Sequence, residues 1–516
     1  MIRSILLSLL VMMVLSCQRN SLSSGPHSLL TDSSARNFSF TSGTMDSFSV
    51  ISNADWVISL LGSSASRLKL DKSSGTGNSR IHVTVIKANT SDSPQTSELK
   101  ISVVNDPNQM PISLPVIQGT AYNGDSSRNA YGGSAPDYFY GATPSPDGGV
   151  VAVGFSESAN GDLNGISGTG TLWITRLDSK GRLIWQKRAG PSAVDAGLFV
   201  IAGQSGGYLI SGVSQAFGCI VKIDENGNIE WQKYFGGSGY SIFSGAVATP
   251  DGGYLLAGET KSADGDLTTN YGGIDAWVMK IDANGNKIWS RSYGGSGTDI
   301  FYSAAISSDN NYLLCGQTSS NDHDVSGLHG VSDYWVIKLD TAGNIIWQHT
   351  FGGSGTESLA YIVKSNAGGY IITGQSNSSD GDAIGNHGAT DCLLLKIDET
   401  GNKIWSKMIG GSANDLGTYI APTSDGHYLI TGSTNSTDGD INTGNRGIGD
   451  GWVFEIDDNA NLIWQKTIGG SGDDVFWGGY ETSPGNFEVY GNTNSIDGDV
   501  RGAHGDDDGW LFRFSR

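Results

Sequence analysis

Acidic side chains recur in short glycine-containing loops, and their types and spacing suit calcium binding. Asp-Gly-Asp occurs four times, and Asp322-His323-Asp324 stands at the corresponding place in a further copy. Another aspartate stands just before the next predicted strand. Calcium takes six to eight oxygen ligands, which carboxylates and the carbonyls of a bent loop supply. The predicted ligand sets are Asp264, Asp266 and Asp275; Asp380, Asp382 and Asp391; Asp438, Asp440 and Asp450; and Asp497, Asp499 and Asp508.

The same loops have a second interpretation that needs no ion. Aspartate side chains in tight turns accept hydrogen bonds from backbone N–H groups, which stabilises the turn. The loops also differ from the EF-hand pattern, so the motif is not diagnostic of calcium. Calcium binding and turn formation both remain open at this point.

A second acidic set follows the glycine pair that opens each copy of a repeat. Five positions after the first glycine, six of the seven copies have an acidic residue, just before the strand predicted to lie innermost. Close carboxylates repel one another, which raises pKa values or recruits a cation. We predict either a channel rim that binds a metal or cationic partner, or carboxylates that cap the amides of their own junction. The residues are Asp137, Asp195, Asp299, Glu357, Asp415 and Asp474.

Patterns typical of catalysis are missing from the sequence. The eight histidines do not form HExxH or another zinc-ligand spacing, and there is no GxSxG nucleophile elbow. No glycine-rich loop carries the lysine of a phosphate site. We therefore predict no catalytic residue and favour a binding or scaffold protein over an enzyme.

The acidic residues are set in a repeat of roughly 58 residues that occurs seven times. The copy at 294–351 contains four runs of β-branched and aromatic residues separated by Gly, Asn and Asp, as in short strands and turns. Four antiparallel strands per unit predict an all-β fold, a seven-bladed β-propeller over 126–516. The seventh copy lacks its fourth strand, so we expect 126–133 to complete the last blade.

Strand topology places the acidic motifs together. In a four-stranded meander, the loop between strands two and three leaves on the same face as the connection to the next blade. The Asp-Gly-Asp loops and the GGSG junctions are therefore predicted to share one face. The second copy lacks this loop, which predicts a notch near 215–219.

The first residues have the sequence pattern of a secretory signal. Arg3 precedes an apolar run, and Val-Leu-Ser before Cys17 resembles a bacterial lipobox. This predicts a signal peptide over 1–16, lipidation of Cys17 and an outer-membrane lipoprotein of the cell envelope. The serine-rich stretch 17–36 is predicted to be a flexible tether.

The segment 37–120 contains alternating strand-like runs with the spacing of a small immunoglobulin-like sandwich. The motif around Trp56 and the closing LPVIQG resemble those of BACON domains. That resemblance implies either a spacer or a glycan-binding module, with Trp56 as a core residue rather than a sugar platform.

The hairpin of the third and fourth strands resembles the tryptophan-docking repeat of quinoprotein-type propellers. IDANGNKIW and IDETGNKIW have that family's Asp, Gly and Trp spacing, and the whole repeat is similar to GGSG…DGD…W arrays of Bacteroidetes envelope proteins. The resemblance implies tryptophans that lock neighbouring blades, and it leaves a glycan-active or quinoprotein-like enzyme as the alternative function. The docking tryptophans are Trp185, Trp231, Trp289, Trp347, Trp405 and Trp464.

Charge and cysteine content limit the classes of partner and of covalent cross-link that we expect for this protein. The formal net charge is −21, and residues 1–120 are close to neutral, so the acidic surface belongs to the repeat region. Such a surface repels nucleic acid and anionic membranes. The few cysteines predict no disulfide framework, with Cys219, Cys315 and Cys392 buried. We expect a monomer that reaches the membrane only through its lipid, binds a glycan, an envelope protein or a cation, and carries no cofactor beyond calcium.

Overall fold

The computed structural model describes residues 29–31, 36–38, 45–52, 54–61, 66, 68–85, 95–104, 111–118, 129–166, 168, 170–191 and 195–516. The chain divides into two compact units, Met1–Asn123 and Gly124–Arg516. The predicted signal peptide 1–16 and the predicted lipidation site Cys17 lie outside the described residues. In the part of the chain that is described, no helix is long and apolar enough to span a membrane.

The first unit consists of two β-sheets that pack around one core. One sheet has the strand order β1-β3-β7-β5 and the other β2-β9-β8-β4-β6. Val50, Trp56, Ile81 and Leu99 are fully buried between them, and Trp56 donates from Nε1 to the carbonyl of Gly77 at 2.8 Å. The strands are β1 (Leu29–Thr31), β2 (Arg36–Phe38), β3 (Met45–Ser52), β4 (Asp55–Leu61), β5 (Leu68–Leu70), β6 (Ser74–Thr76), β7 (Ser79–Val85), β8 (Gln95–Val103) and β9 (Ile112–Gln118).

Strand β1 lies inside 17–36, the stretch predicted to be a tether. It pairs antiparallel with β3, with Leu30 opposite Ile51. The first sheet therefore begins earlier in the chain than expected. A three-residue edge strand is too short to produce the alternation by which strands are recognised in sequence.

The second unit contains seven four-stranded antiparallel sheets among its described residues, numbered here as blades 1–7. The innermost strands are β11 (Asp137–Pro144), β15 (Asp195–Ala202), β19 (Ser241–Ala248), β23 (Asp299–Ile306), β27 (Glu357–Lys364), β31 (Asp415–Pro422) and β35 (Asp474–Ser483). The second strands are β12 (Val150–Ser156), β16 (Tyr208–Ser214), β20 (Tyr254–Thr260), β24 (Tyr312–Thr318), β28 (Tyr370–Ser376), β32 (Tyr428–Thr434) and β36 (Asn486–Thr493). The third strands are β13 (Leu172–Leu177), β17 (Phe217–Ile223), β21 (Asp275–Ile281), β25 (Asp333–Leu339), β29 (Asp391–Ile397), β33 (Asp450–Ile456) and β37 (Asp508–Ser515). The outer strands are β14 (Leu183–Ala189), β18 (Ile229–Phe235), β22 (Lys287–Tyr293), β26 (Ile345–Phe351), β30 (Lys403–Ile409), β34 (Leu462–Ile468) and β10 (Ala130–Tyr131).

The ring is closed by the start of the second unit. Strand β10 pairs antiparallel with β37, with Ala130 opposite Trp510, and so supplies the outer strand of blade 7. Strand β35 of blade 7 also contacts β11 of blade 1, as consecutive innermost strands do elsewhere. The all-β propeller is thus confirmed, and closure removes the open sheet edge that would invite aggregation.

Aromatic packing holds each blade and joins it to the next. Phe243 on an innermost strand stacks on Trp277 of the third strand at 4.1 Å between ring centroids. Trp289 on an outer strand reaches the following blade, where its Nε1 donates to the carbonyl of Thr341 at 3.2 Å. The predicted tryptophan docking is observed. Three cysteines, Cys219, Cys315 and Cys392, are free and buried, as predicted.

Each innermost strand carries a β-bulge at the same place. In blade 4, Phe301 pairs with Gly316 and Ser303 with Cys315, so Tyr302 is the extra residue. A bulge re-aims a side chain and bends its strand, here beside the central axis. The bulged residues are Tyr140, Leu198, Ser244, Tyr302, Thr418 and Trp477, and in blade 5 both Leu359 and Ala360.

Candidate functional site

The four amides of a GGSG junction each donate to a different side chain. In 469–472, the first amide donates to Asp499 Oδ2 at 3.3 Å and the second to Asp474 Oδ2 at 2.8 Å. The third donates to Asp497 Oδ1 at 2.7 Å and the fourth to Ser495 Oγ at 2.8 Å. One hydrogen-bonded module therefore contains the GGSG junction, the Asp-Gly-Asp loop and the acidic residue five positions after the first junction glycine, which we call the rim acid. These parts lie on the same face, as predicted.

The module explains both aspartates of each Asp-Gly-Asp loop. The first accepts the third junction amide, as Asp264 Oδ1 does from Ser238 at 2.7 Å, and these bonds lower the pKa of Asp264. The second accepts the first junction amide, as Asp382 Oδ2 does from Gly352 at 3.0 Å. The corresponding acceptors are Asp380, Asp438 and Asp497 for the third amide, and Asp266, Asp440 and Asp499 for the first.

The six rim acids are fully buried rather than presented to solvent. Asp415 accepts from the Gly411 amide at 2.6 Å, from Ser436 Oγ at 2.7 Å and from Thr434 Oγ1. Glu357 accepts from Gly353, Ser376 and Ser378 in the same way. Five of these carboxylates accept an amide of their own junction, the second of the two arrangements considered from sequence: Asp137, Asp299, Glu357, Asp415 and Asp474. Asp195 is the sixth member of the buried set.

The aspartates that open the third strands face the next blade. Asp450 accepts the Arg446 amide at Oδ2, and its buried Oδ1 has no hydrogen-bond partner among the described residues. That Oδ1 lies 2.6 Å from the point that a Cβ on Gly469 would occupy, and Asp474 Oδ2 lies 2.5 Å from the same point. Two carboxylates from successive blades therefore meet over a glycine. Within the described part of the chain, the Oδ1 atoms of Asp275, Asp333 and Asp391 are likewise buried without a hydrogen-bond partner.

This arrangement regroups the residues predicted to form calcium sites. Asp275 lies next to the following blade as well as to the loop of its own blade. The Asp299 amide of that blade donates to the carbonyl of Ile274, the residue before Asp275, at 2.7 Å. Burial, together with the charges of Asp299 and Asp324, raises the pKa of Asp275 to about 6. The acidic groups that converge at a junction therefore come from two successive blades. Sequence spacing alone groups them by loop instead.

The buried carboxyl groups predict a pH-dependent stability. Burial raises the pKa of Asp450 to about 6, with the charges of Asp474 and Asp499 adding to the effect. The unfolded chain titrates near 3.8, so the folded state binds the proton more tightly, and the stabilisation is lost as pH rises through about 6. We expect a melting temperature several degrees higher at pH 5 than at pH 8. Asp450→Asn should raise the melting temperature at pH 8, because its amide can donate to Asp474.

The control for this prediction is Asp506→Asn, which removes the same formal charge from an exposed position. Calorimetry of the three proteins between pH 5 and pH 8 measures the effect. Equal pH profiles for wild type and Asp450→Asn would contradict the assignment.

Aromatic side chains surround the axis at and beside the bulges. Tyr302 lies 6.3 Å from Tyr361, Tyr361 lies 5.6 Å from Tyr419, and Tyr140 lies 6.4 Å from Trp477, measured between ring centroids. All five are half-buried. They stand on innermost strands whose sides are covered by neighbouring blades, so their exposed parts border the central channel. We call these five residues the axial aromatic arc.

Planar polar side chains lie next to the axial aromatic arc. Glu259, Gln317, Gln375 and Asn492 occupy the same register position, one residue before the end of the second strand in blades 3, 4, 5 and 7. Asn492 Oδ1 accepts a hydrogen bond from Trp477 Nε1 at 2.7 Å. The Oε1 atom of Gln317 is buried with no partner in the described part of the chain.

Backbone strain marks the same region. Leu359, in the two-residue bulge of blade 5, has φ of 57°, which residues other than glycine seldom adopt. Sequence reasoning missed this site. The signal was present as an aromatic residue three positions after the rim acid in Asp137–Tyr140, Asp299–Tyr302 and Asp474–Trp477.

A different cluster breaks the repeat on the opposite face of blade 6. Asp425, His427 and Glu455 bring one ligand atom each within 4.8 Å of one another. Other blades have Lys or Arg in place of Glu455, as in the Lys280–Asp251 pair at 2.9 Å. Here Arg516 contacts Glu455 at 2.8 Å and Asp425 at 2.7 Å.

Arg516 therefore balances negative charge in this group of Asp425, His427 and Glu455, which we call the blade 6 cluster. Arg516 also borders an open cavity of about 450 Å³ that Ser424, Glu481 and Asn486 help to line. A group of dissimilar polar side chains is what a catalytic site would contain. Here, however, the buried Glu455 is hydrogen-bonded to Arg516, His427 and Trp464. The geometry is that of an ion-paired structural cluster.

Comparisons with known proteins give limited likenesses. No family model matches the chain. The regulatory protein FlaEY of Caulobacter vibrioides is 23% identical over 206 residues, which are 36% of this chain and 21% of that protein. The chain thus spans about a fifth of that relative's length.

Solved structures with a likeness include propeller proteins. A quinoprotein alcohol dehydrogenase-like protein of Bacteroides thetaiotaomicron has a TM-score of 0.32 at 9% identity, covering 84% of this chain and 94% of that one. The PQQ-bound aldose sugar dehydrogenase of Streptomyces coelicolor has a TM-score of 0.33 at 14% identity, covering 63% and 95%. At these scores the likenesses support no statement about ligand or reaction.

Proposed function

We propose that this protein is a lipid-anchored envelope protein whose propeller binds a neutral glycan at the axial aromatic arc. One observation supports this proposal above the others: three bulged side chains, Tyr140, Tyr302 and Trp477, border the central channel, and amide and carboxyl groups lie on the neighbouring second strands of four blades. The lipid anchor at Cys17 and the envelope location belong to the proposal and rest on the sequence motif.

The chemistry of the arc suits a sugar. Aromatic faces pack on the apolar C–H faces of pyranose rings, and tyrosine and tryptophan combine large contact area with a polar atom. Amide and carboxylate groups pair with neighbouring hydroxyl groups, as both donor and acceptor in the case of Gln317 and Gln375. A few placed polar groups in an apolar-lined concavity are the usual composition of a ligand site.

Competing ligands are less well supported. Rim acids such as Asp415 and Asp474, which could attract a cationic partner, accept hydrogen bonds within their own modules, and all six rim acids are fully buried. The blade 6 cluster, where an enzyme would be sought, is closed by Arg516. A neutral glycan needs neither a free carboxylate nor a catalytic pair.

The test is binding of soluble neutral oligosaccharides to the mature chain, with tryptophan fluorescence and calorimetry as readouts. We expect binding from a panel of β-glucan, xyloglucan and mannan fragments, and at least a tenfold loss of affinity, about 1.4 kcal/mol, in Trp477→Ala. Tyr234→Ala is the matched control, because Tyr234 is an exposed aromatic residue on an outer strand.

Two outcomes would refute the proposal. One is the absence of binding to every fragment in the panel by a folded protein. The other is unchanged affinity in Trp477→Ala, or an equal loss in Tyr234→Ala, because either would place the sugar away from the axis.

A further inference from the structure

Blade 7 carries two aspartates that do not belong to the repeated acidic modules. Asp507 stands one residue before the third strand of that blade, and Asp473 stands one residue before its rim acid. Blades 4 and 5 have Ser332 and Thr390 in place of Asp507, and blade 6 has Asn414 in place of Asp473. No other blade has a charged residue at either position.

Backbone contacts show that these positions are structurally equivalent. The carbonyl of Asp507 accepts the Asp137 amide of blade 1 at 2.8 Å. In the same way, the carbonyl of Ser332 accepts the Glu357 amide of the following blade at 2.9 Å. Because this contact between blades forms with a serine, the fold does not require the carboxylate of Asp507.

Asp507 is joined to the axial aromatic arc through Tyr138. The Tyr138 hydroxyl donates to Asp507 Oδ2 at 2.9 Å, and its ring stacks on Tyr140 with 5.6 Å between centroids. Tyr140 in turn lies 6.4 Å from Trp477. Burial, with the charge of Asp507, raises the pKa of Tyr140. No other blade has an aromatic residue at the position of Tyr138, so this group of side chains is specific to one end of the arc.

Asp473 adds a second negative charge at the same end. Burial, followed by the charge of Asp507, raises the pKa of Asp473, and the two carboxylates therefore interact. Asp473 is exposed and Asp507 is half-buried. In the described part of the chain, neither aspartate takes part in a salt bridge. The carboxylates thus keep their charge uncompensated beside the aromatic rings.

This arrangement treats neutral and acidic sugars differently. A pyranose ring packed on Trp477 presents its ring substituents to the neighbouring polar side chains. A hydroxyl substituent can donate to a carboxylate oxygen of Asp473 or Asp507. A carboxylate substituent would instead meet like charges that no basic side chain balances, and such a repulsive element is a common source of specificity.

We propose that Asp473 and Asp507 determine the specificity of the axial site by excluding glycans that carry carboxylate groups. This inference rests on the proposed glycan function. It adds two residues to the site and names the class of glycan that the site rejects.

The test compares two ligands that differ only in charge. They are the tightest-binding neutral fragment of the panel and the same fragment with its free C6 alcohols oxidised to carboxylates. By calorimetry at pH 7 and low salt, wild type should bind the neutral fragment about thirtyfold or more tightly than the oxidised one. In 1 M NaCl, where the screening length is about 3 Å, this ratio should shrink.

The double variant Asp473→Asn/Asp507→Asn removes both charges and keeps the oxygen acceptors. Asparagine at 473 copies blade 6, and asparagine at 507 still accepts from Tyr138. The ratio of the two affinities should fall to about threefold or less, with a much smaller change in affinity for the neutral fragment. Asp507→Ser, which copies blade 4, should narrow the ratio by itself.

Glu225→Gln is the matched control. Glu225 is an exposed carboxylate that accepts from a tyrosine hydroxyl, that of Tyr208, at 2.9 Å. It lies in the turn between β17 and β18, which leaves the blade on the face opposite the junctions. This variant loses the same formal charge and should discriminate between the two fragments as wild type does.

The outcomes separate this proposal from the glycan function itself. Equal affinity of wild type for the two fragments, or wild-type discrimination in the folded double variant, would overturn the role of the two aspartates while glycan binding stands. An equal loss of discrimination in Glu225→Gln would also overturn it, because net charge rather than position would then decide. Absence of binding to every neutral fragment would overturn both proposals.

Discussion

Replacing Gly316 by alanine should lower the free energy of unfolding by about 3 kcal/mol or more and displace Tyr302 from the axis. A Cβ atom on Gly316 would lie 1.8 Å from the Ile300 carbonyl oxygen, which belongs to the partner strand and cannot rotate away. The strands would have to separate at the bulge, with loss of ladder hydrogen bonds. Urea unfolding followed by tryptophan fluorescence measures the change.

Gly252→Ala provides the control for that experiment. No atom lies within 4 Å of a Cβ at Gly252, although its φ of 89° disfavours alanine. This substitution should lower the free energy of unfolding by about 1 kcal/mol, through backbone strain alone. If Gly316→Ala cost no more than Gly252→Ala, the close approach at the bulge would not be the reason for the glycine. Glycan affinity should also fall in Gly316→Ala and stay unchanged in Gly252→Ala.

The fold could be predicted from the sequence because the residue types in each repeat identify its strands and turns. Runs of β-branched and aromatic residues bounded by Gly, Asn and Asp recur along the repeat, and the segment ending at Tyr131 supplies the outer strand that blade 7 lacks. The shared face of loops and junctions followed from meander topology, without any knowledge of side-chain positions. Such features depend on local pattern and chain connectivity, and both are visible in sequence.

The chemistry of the acidic residues could not be anticipated in the same way. The choice between ion ligand and cap for Asp264 depends on whether its oxygen reaches the Ser238 amide, which lies 26 residues earlier in the chain. The grouping of Asp275 with Asp299 depends on a contact between two blades. The axial aromatic arc depends on bulges, which arise from strand register rather than from composition.

The repeated carboxylates and the irregular aromatics therefore have different meanings. Residues such as Asp474 recur because most junctions repeat the same amide donors. Tyr302, Tyr361 and Trp477 vary in type and position around the ring, which a uniform structural task would not produce. Variation within an otherwise regular array is where we expect ligand recognition, as in other solenoid and propeller surfaces.

Asp415→Asn should lower the free energy of unfolding by about 3 kcal/mol while leaving ligand affinity unchanged. The carboxylate is fully buried and accepts three hydrogen bonds, from Gly411, Thr434 and Ser436. An asparagine turns an NH₂ group toward at least one of these donors, and each buried donor left unpaired costs about 1–3 kcal/mol. The measurement is urea unfolding alongside calcium dialysis and glycan calorimetry on the same sample.

The two roles considered for this residue predict opposite results. A cation-binding rim would lose ion uptake in Asp415→Asn with little change in stability, because removing a buried repulsive charge favours the folded state. A structural cap loses stability and keeps uptake. Asp438→Asn is the matched comparison, since that exposed aspartate caps the Ser412 amide of the same junction at 2.7 Å and should cost well under half as much. Equal costs for the two variants would show that burial of the rim acids contributes nothing to their role.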